Sequence, residues 1–482
     1  MTRRTLGPFN RVEGDLEVSL DIADGRVAAA YVNSPLYRGF EQILQGKAPQ
    51  DALTLVPRIC GICSVAQSAA SALALADAAG IRPPENGRLA ANLTLAVENL
   101  ADHLTHFYLF FMPDVCHADY AGRPWYARAR ERFLAGAGTA PNDVLPARAR
   151  FMEMMGLLAG KWPHTLAVQP GGSTRPLQGS EVFRLQRALR EFRRFLEAVT
   201  FGAPLEAIAA IGDRKQLEAC TGRGDFGAFL AIAEEAGLWR AGRASDLFLS
   251  VGCYALREAE GGRLLPAGVF DARTGVQTAF DPSAIREDAT HAWYAAGNEA
   301  LHPAHGGTVP VPDKACAYSW CKAPRLAGRV VETGALARQA VAGHPLARAM
   351  VAEGGSVAAR VVARLLEIAV VIPAMEGWLA AIRPGEPWCV GAPLAGESAG
   401  AGLTEAARGA LGHWLTVRRG RIHNYQIIAP TTWNFSPRDA GGQPGALEQA
   451  LAGLAMPAQG SVPPLVHHVV RSFDPCMVCT VH

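Results

Sequence analysis

The chain has 482 residues, of which 49% are hydrophobic and 19% charged, so it can bury a large core and is not a disordered protein. Its 46 basic and 44 acidic residues leave a net charge of +2, which gives no reason to expect a nucleic acid or an anionic membrane as partner. Ten cysteines in a long chain whose first residues lack an apolar signal segment favour free thiols and metal ligands over disulfides, and a cytoplasmic location.

Two hairpins and several long helices are predicted in chain order. Residues 15–32 alternate apolar and polar side chains around Asp24-Gly25, and residues 414–428 do so around Arg419-Gly420. Helical periodicity covers 87–111, 180–199 (with Ser180 as the expected cap) and 356–382, the last with Pro373 as a candidate kink. The pattern predicts a mainly α fold: a long-helix bundle with small antiparallel β-hairpins or sheets at its periphery, in a single domain spanning 1–482.

The most apolar stretch, residues 361–382, does not read as a membrane span. It contains Arg364, Glu367 and Glu376, which are too many charges for a segment in a bilayer, so a buried helix is expected there.

Two CxxC pairs carry the strongest chemical signal. Cys60 and Cys63 precede an alanine-rich helix that Ser64 is expected to cap and Gly80 to end, and a helix N-terminus favours the thiolate that metals bind. Cys476 and Cys479 form the second pair, so four thiolates are available to one site.

A structural zinc is the commonest use of four cysteines. Zinc modules, however, place both pairs within a few dozen residues to staple a small fold, whereas these pairs lie near opposite ends of a chain with a large core. A thioredoxin-like redox pair is disfavoured because neither CxxC lies in a βαβ pattern. A redox-active metal therefore stands beside zinc as a candidate.

Motifs spread along the whole chain resemble one family, the large subunit of the NiFe-hydrogenases. They are RVEG at 11–14, YRGFEQILQG at 37–46, RICGICSVAQSAAS at 58–71, DHLTHFY at 102–108, VQPGG at 168–172, YSWCKAPR at 318–325, ETGALAR at 332–338, EAARGALGHW at 405–414, NYQIIAPTTWN at 424–434 and SFDPCMVCTVH at 472–482. So many matches in this order make chance an inadequate explanation.

The resemblance implies a Ni-Fe dinuclear centre that binds and heterolytically cleaves H2. The four cysteines would hold nickel, and Cys63 and Cys479 would also bridge to an iron that carries cyanide and carbon monoxide. Cys479 and Arg408 would be the nearby bases. Four thiolates would place an excess of negative charge on one divalent ion, and two bridging thiolates share that charge with a second metal.

The same resemblance assigns roles to the polar residues around the metals. Arg408 would overhang the centre and hydrogen-bond one cyanide, with Asp102 and Asp474 orienting it, and Thr431 would bond the other cyanide. Glu13 would receive the proton that leaves the cysteine cluster.

A magnesium ion is implied beneath the site, with Glu41, His482 and the backbone carbonyl of Ile427 as ligands. Magnesium prefers oxygen ligands, so an imidazole is an unusual partner for it. The chain has no four-cysteine ferredoxin spacing, so iron–sulfur clusters are expected only in a partner, a small subunit forming a heterodimer or a dimer of heterodimers with this chain.

Four positions depart from the family's usual residues. Gln67 stands where most members have histidine, Ala407 where proline is usual, Ile62 where valine is common and Phe110 where leucine is usual. The larger Ile62 and Phe110 would narrow the gas channel, although repacking at similar volume is the simpler explanation. Together Ile62, Gln67 and Phe110 resemble the H2-sensing, or regulatory, subgroup, whose members turn over slowly, tolerate oxygen and signal through a histidine kinase.

The end of the chain fits the same subgroup. Catalytic relatives carry a C-terminal extension that a protease removes, whereas sensor types are made without it, so an end at His482 agrees with the sensor prediction.

Three alternatives remain beside the sensor. They are an energy-conserving uptake hydrogenase, a non-catalytic relative such as the quinone-site subunit of respiratory complex I, and a scaffold with a structural four-cysteine zinc site. The complex I relatives lack the four cysteines that are present here.

Other signals are expected to be structural. GRGDFG at 222–227 follows a polar stretch instead of an apolar strand, so it does not predict a dinucleotide site. His103 and His106 are expected to be hydrogen-bonded histidines and not ligands. The remaining cysteines occur singly and are expected to be buried apolar residues: Cys116, Cys220, Cys253, Cys316, Cys321 and Cys389.

Overall fold

The computed structural model describes residues 2–257, 261–297 and 299–481. Its α-helices are α1 Phe40–Leu44, α2 Ala52–Leu55, α3 Ser64–Ala79, α4 Glu85–Thr105, α5 Tyr126–Phe133, α6 Ala140–Ala159, α7 Gly179–Phe195, α8 Leu205–Ala209, α9 Arg214–Glu218, α10 Gly224–Glu235, α11 Ala335–Val341, α12 Pro345–Ala352, α13 Val357–Ala381, α14 Pro430–Asn434, α15 Ala446–Leu451, α16 Pro464–Ser472 and α17 Met477–Thr480.

The strands are β1 Thr2–Leu6, β2 Glu17–Ala23, β3 Arg26–Asn33, β4 Val168–Gln169, β5 Gly172–Ser173, β6 Leu247–Ala255, β7 Arg263–Asp271, β8 Val276–Thr278, β9 Ile285–Asp288, β10 Ala323–Leu326, β11 Glu332–Thr333, β12 Ser398–Ala406, β13 Gly409–Arg418 and β14 Arg421–Ile428. The predicted mainly α architecture with small antiparallel sheets is confirmed.

Both predicted hairpins form. The residues of each turn, Asp24-Gly25 and Arg419-Gly420, have φ angles of 51° and 69°, the left-handed conformation that a two-residue hairpin turn requires. Each hairpin gains a third antiparallel strand, β1 in the first sheet and β12 in the second.

Three sheets were not predicted from the sequence: the two-stranded pairs β4-β5 and β9-β10, and one four-stranded sheet. The strand order of the four-stranded sheet is β11-β6-β7-β8, and β11 pairs in parallel with β6, residue Glu332 opposite Phe248. All but the last residue of β6 are buried, so the strand lacks the alternation of apolar and polar residues that marks a half-exposed strand.

The long helices follow their predicted positions. Helix α4 continues as a π-helical turn at His106–Phe111, and α13 runs unbroken through Pro373. The expected cap of α7 was wrong: the helix begins at Gly179, and the amide of Gln178 donates to the carboxylate of Glu181, 2.8 Å away. None of the helices in the described ranges combines the length and apolar composition needed to cross a bilayer.

Two glycines of β12 bring the second sheet against α3. A Cβ atom added to Gly402 would lie 1.9 Å from the carbonyl oxygen of Ala70, and one added to Gly400 would lie 2.2 Å from that of Ala74. Only glycine allows this approach of strand to helix. The contact fixes α3, and with it the cysteine pair at its N-terminal end.

Candidate metal centre

The sulfurs of the two CxxC pairs meet in one buried cluster. Cys60 Sγ lies 3.4 Å from Cys476 Sγ, Cys63 Sγ lies 3.2 Å from Cys479 Sγ, and the sulfurs of Cys476 and Cys479 are 3.2 Å apart. All four ligand atoms lie within 4.8 Å of one another, and all four thiols are free.

The first pair is positioned by the start of α3. Cys60 has an extended backbone and Cys63 is the residue that precedes the helix. The expected cap Ser64 was wrong, because Ser64 is the first helical residue and its hydroxyl donates to Glu98. Glu98 accepts from the amides of Val65 and Ala66, 2.9 Å each, and so anchors the first turn. Gly80 ends the helix in the left-handed conformation, as predicted.

The second pair follows a sharp turn after α16. Asp474 has a φ of 57°, an unusual conformation for a residue other than glycine, and the segment then enters the short helix α17. The backbone amide of Cys476 donates to the hydroxyl oxygen of Thr431, 3.1 Å away. This contact ties the second pair to helix α14.

Arg38 joins the two pairs and was not among the predicted site residues. Its guanidinium donates to the carbonyl oxygens of Ile59 and Val478, and its amide donates to the carbonyl of Val481, 3.0 Å away. Each acceptor lies in one of the two cysteine segments, so Arg38 fixes their relative position. Its place in the YRGF motif was the signal available in the sequence.

The cluster fits a metal ion. Metal–thiolate bonds of about 2.3 Å place ligand sulfurs about 3–4 Å apart, and the three shortest sulfur–sulfur distances, 3.4, 3.2 and 3.2 Å, lie in this range. Hydrogen bonds from Cys476, Cys479 and Cys63 hold the pKa of the Cys60 thiol well below its usual value, whereas contact with Cys476 raises that of Cys63. A thiolate that accepts hydrogen bonds from neighbouring thiols gives the cluster a negatively charged sulfur ligand, the form of cysteine that binds metals.

Arg408 and Asp102 form a buried pair beside the cluster. Arg408 Nη1 donates to Asp102 Oδ2 at 2.6 Å and Nη2 to Asp102 Oδ1 at 3.2 Å, while Nη2 also donates to Asp474 Oδ1 at 3.1 Å. Burial raises the pKa of Asp102; burial also acts to raise that of Asp474, but the Arg408 cation outweighs it and the pKa is lowered. Arg408 Nε and Asp474 Oδ2 are buried without a hydrogen-bond partner among the described residues, so donor and acceptor capacity remains at the site.

Glu13 is fixed to the second cysteine pair by its backbone. Its amide donates to the carbonyl of Pro475 at 3.3 Å, and its carbonyl accepts from the amide of Met477 at 2.7 Å. The side chain is half-buried. Burial, helped by the negative Cys60 sulfur, raises the pKa of the Glu13 carboxyl, which makes its carboxylate a stronger proton acceptor.

Gln67 connects the cluster to a buried polar chain. Its amide nitrogen lies 3.8 Å from Cys479 Sγ, and its carbonyl oxygen lies 2.8 Å from His413 Nε2. His413 Nδ1 in turn lies 2.8 Å from the hydroxyl of Tyr425. A carboxamide oxygen only accepts, so His413 donates to Gln67 through Nε2. This arrangement turns the amide N–H groups of Gln67 toward the sulfur.

The carboxylate of Glu41 is buried in a separate polar cluster. It accepts from the hydroxyl of Thr308 and from the backbone amide of Ile427, the latter at 2.7 Å. The ammonium group of Lys322, which was not predicted as a site residue, lies 3.6 Å from it. His482, the third predicted ligand of this cluster, lies outside the described residues.

The remaining predicted residues occupy the surroundings of the cluster. Ile62 and Phe110 are half-buried, and Ile62 packs against the main hydrophobic core. Ala407 is buried directly before Arg408. Whether Ile62 and Phe110 bound a gas channel stays a prediction.

The signals expected to be structural behave so, with one correction. His103 is buried and hydrogen-bonded to Glu367, His106 is bonded to the carbonyl of Arg471, and burial lowers the pKa of His106 to about 3. The GRGDFG segment enters α10 without a preceding strand. The correction concerns two single cysteines: Cys316 and Cys389 are exposed because they lie in irregular segments outside the core.

Comparison with known proteins gives one consistent result. A family described as nickel-dependent hydrogenase matches residues 38–122 and 142–482. The chain is 30% identical to the periplasmic NiFeSe hydrogenase large subunit of Desulfomicrobium baculatum, over 99% of this chain and 94% of that protein. It is 27% identical to the hydrogenase-2 large chain of Escherichia coli K12, over 100% and 97% respectively. The fold matches that of the NiFeSe hydrogenase of Desulfovibrio vulgaris Hildenborough in the reduced state, with a TM-score of 0.84, 31% identity and full coverage of both chains.

Proposed function

This chain belongs to the nickel-dependent hydrogenase family and is the large subunit of a NiFe hydrogenase, and from that premise we propose that it serves as an H2 sensor with low turnover and oxygen tolerance. The proposal includes one domain spanning 1–482. The observation that carries the sensor assignment is the contact of Gln67 with Cys479, at the position where most members have histidine.

The four-cysteine cluster would hold the metals. Cys60, Cys63, Cys476 and Cys479 would bind nickel, and Cys63 and Cys479 would be shared with an iron carrying cyanide and carbon monoxide. When bound, this centre would supply the Lewis acidity and electron acceptance that heterolytic cleavage of H2 requires.

Arg408 and Thr431 would orient the diatomic ligands. Arg408 is held by two carboxylates and keeps a buried Nε–H without a partner in the described part of the chain, so it can donate to a cyanide nitrogen without reorganising. Thr431 accepts from the Cys476 amide through its hydroxyl oxygen, which leaves the hydroxyl proton for the second cyanide.

The proton from H2 would pass from the cluster to Glu13, with Cys479 as the nearest base and the Arg408 cation beside it. Glu13 is hydrogen-bonded through its backbone to both neighbours of Cys476, so it is held beside the cluster. Its half-buried carboxyl group is close enough to be affected by the charge of the Cys60 sulfur and is not sealed from solvent, which suits a group that takes a proton inside and releases it outward.

The cluster around Glu41 would hold a magnesium ion through Glu41, the carbonyl of Ile427 and His482. A buried carboxylate and a backbone carbonyl are the oxygen ligands that magnesium prefers. The Lys322 ammonium also lies 3.7 Å from the carboxylate of Glu287, which would remain its partner when Glu41 binds the ion.

Electrons would leave through iron–sulfur clusters of a small subunit, in a heterodimer or a dimer of heterodimers. A histidine kinase would receive the signal, and the complex would work in the cytoplasm. One relative is named periplasmic, so cell fractionation is the direct test of location.

An infrared spectrum of the purified two-subunit complex, before and after H2, tests the metal centre. Bands of metal-bound cyanide and carbon monoxide that shift under H2 are expected. A blank region in a zinc-containing protein would instead indicate the scaffold with a structural zinc site.

Hydrogen-dependent signalling tests the sensor. Kinase autophosphorylation that changes with H2, together with slow dye reduction, is expected. Fast dye reduction without any effect on the kinase would favour the uptake hydrogenase. That alternative is supported by the similarity of this chain to the uptake hydrogenase large subunit of Rubrivivax gelatinosus, which is 28% identical.

A further inference from the structure

Arg338 uses all five of its N–H groups inside the protein. It is fully buried on α11, its Nε and Nη2 donate to the two oxygens of Glu367 at 2.8 Å each, and its Nη1 donates to Glu405 Oε2 at 2.8 Å. The two remaining N–H groups donate to the backbone carbonyls of Ala406 and Ala407 at 3.0 Å each. Such a fork has a fixed geometry, which lysine cannot reproduce.

The two carbonyls belong to the residues directly before Arg408. The residue after Arg408 is held as well: Gly409 has a φ of 136°, and a Cβ there would lie 2.3 Å from the hydroxyl oxygen of Thr333. Ala407 does not restrict its own φ as a proline would, so contacts must fix this turn. Arg338 makes two of them.

The same network reaches the partner of Arg408. Glu367 Oε1 lies 3.1 Å from His103 Nε2, and His103 follows Asp102 on α4. Glu405 Oε1 accepts from the amide of Val251 at 2.7 Å, which anchors the network to β6. Arg338 therefore lies at the junction of the segment that carries Arg408 and the helix that carries Asp102.

We infer that Arg338 is a positioning residue: through the carbonyls of Ala406 and Ala407 it sets the place of the Arg408 guanidinium over the cysteine cluster. The inference rests on the proposed function only for its effect on catalysis; the geometric effect is independent of it. Displacement of a catalytic group by about 1 Å can reduce turnover a hundredfold.

The test is Arg338→Lys in the two-subunit complex. The crystal structure of the variant is expected to show the Arg408 guanidinium displaced from Asp102. With nickel and iron content retained, kcat for H2-driven dye reduction is expected to fall about ten- to a hundredfold at unchanged KM for H2, and the cyanide bands to shift. Glu405→Gln keeps an oxygen for the Val251 amide but loses one acceptor for Arg338. This variant is expected to lower kcat and to shift the cyanide bands in the same direction as Arg338→Lys, but to a smaller extent.

Arg325→Lys is the matched control. Arg325 is also buried and donates to the Asp439 carboxylate and to the carbonyls of Pro437 and Gln443, none of which belongs to a cysteine segment or to the segment of Arg408. The Arg325→Lys variant is expected to have lower thermal stability, with the cyanide bands and kcat per bound nickel unchanged.

Three results would overturn the inference. They are an Arg408 guanidinium in its original place in the Arg338→Lys structure, a kcat loss that only follows lost metal, and failure of both Arg338→Lys and Glu405→Gln to fold. A wild-type complex without bands or activity would reject the proposed function instead, and the crystal structures would still decide the positioning role.

Discussion

Glu13 and Cys476 pair as a parallel β-bridge, so a motif near the start of the chain is hydrogen-bonded to the residues on either side of a cysteine near its end. The bridge uses only backbone atoms. The carboxyl group of Glu13 can therefore be changed without loss of the contact.

Glu13→Gln is expected to reduce H2 oxidation about a hundredfold or more, because the amide cannot take up the proton that leaves the cluster. Nickel and iron content should stay at the wild-type level, since the bridge remains. Steady-state dye reduction with metal analysis measures both. Glu17→Gln, close by on β2, is the control, and full activity of Glu13→Gln would contradict the proton route.

Gln67→Leu is expected to shift the cyanide and carbon monoxide bands, because Cys479 loses an N–H donor. It should also lower the free energy of unfolding by about 0.5–1.5 kcal/mol, since the buried hydrogen bond between Gln67 and His413 is lost. Infrared spectra and denaturant unfolding measure the two effects.

Asn86→Leu is the control for Gln67→Leu. Asn86 is a buried amide with hydrogen bonds to the backbone of Arg383, far from the cysteine segments in sequence and not part of the cluster. It should destabilise the protein and leave the bands in place. Equal spectra for Gln67→Leu and wild type would remove the role of Gln67 at the centre.

Ile62→Val combined with Phe110→Leu is expected to make activity oxygen-sensitive, because the smaller side chains widen the route for gas. The measurement is the activity that remains after exposure to air. Ile208→Val with Phe195→Leu removes the same atoms elsewhere in the chain and should leave oxygen tolerance unchanged. If the Ile62→Val and Phe110→Leu double variant keeps its full activity after exposure to air, the gas-channel hypothesis is wrong.

Glu448 predicts a pH dependence of stability. Its carboxyl accepts from the amide of Val32 and the hydroxyl of Tyr318, and burial raises its pKa to about 7. The folded protein therefore keeps a proton that the unfolded chain releases above about pH 4.3, so this contribution to stability is lost as pH rises from about 4.3 through 7.

Glu448→Gln isolates this contribution because it cannot titrate. The stability of wild type relative to Glu448→Gln should fall by about 2–3 kcal/mol between pH 5 and pH 8. Urea unfolding of both proteins at the two pH values measures it. A difference that is the same at both pH values would show that Glu448 does not titrate in this range.

Local patterns were enough for much of the fold. The turns at Asp24-Gly25 and Arg419-Gly420 form because their residues tolerate positive φ, and α4 and α13 follow from helical spacing of apolar residues. Strand β6 was missed because a fully buried strand has no alternation to detect. The caps Ser64 and Ser180 were misplaced because tertiary contacts, such as those of Glu98 with α3, decide where a helix begins.

The sequence by itself determined the ligand types and the family, because two CxxC pairs and many ordered motifs are local and specific. The family resemblance also implied that the two pairs share one site, which the structure confirms. Only the tertiary structure decided that Arg38 connects the two pairs and that Arg338 supports the segment of Arg408. These contacts join residues separated by tens to hundreds of positions. Their geometry depends on how helices and sheets pack, which no local pattern encodes.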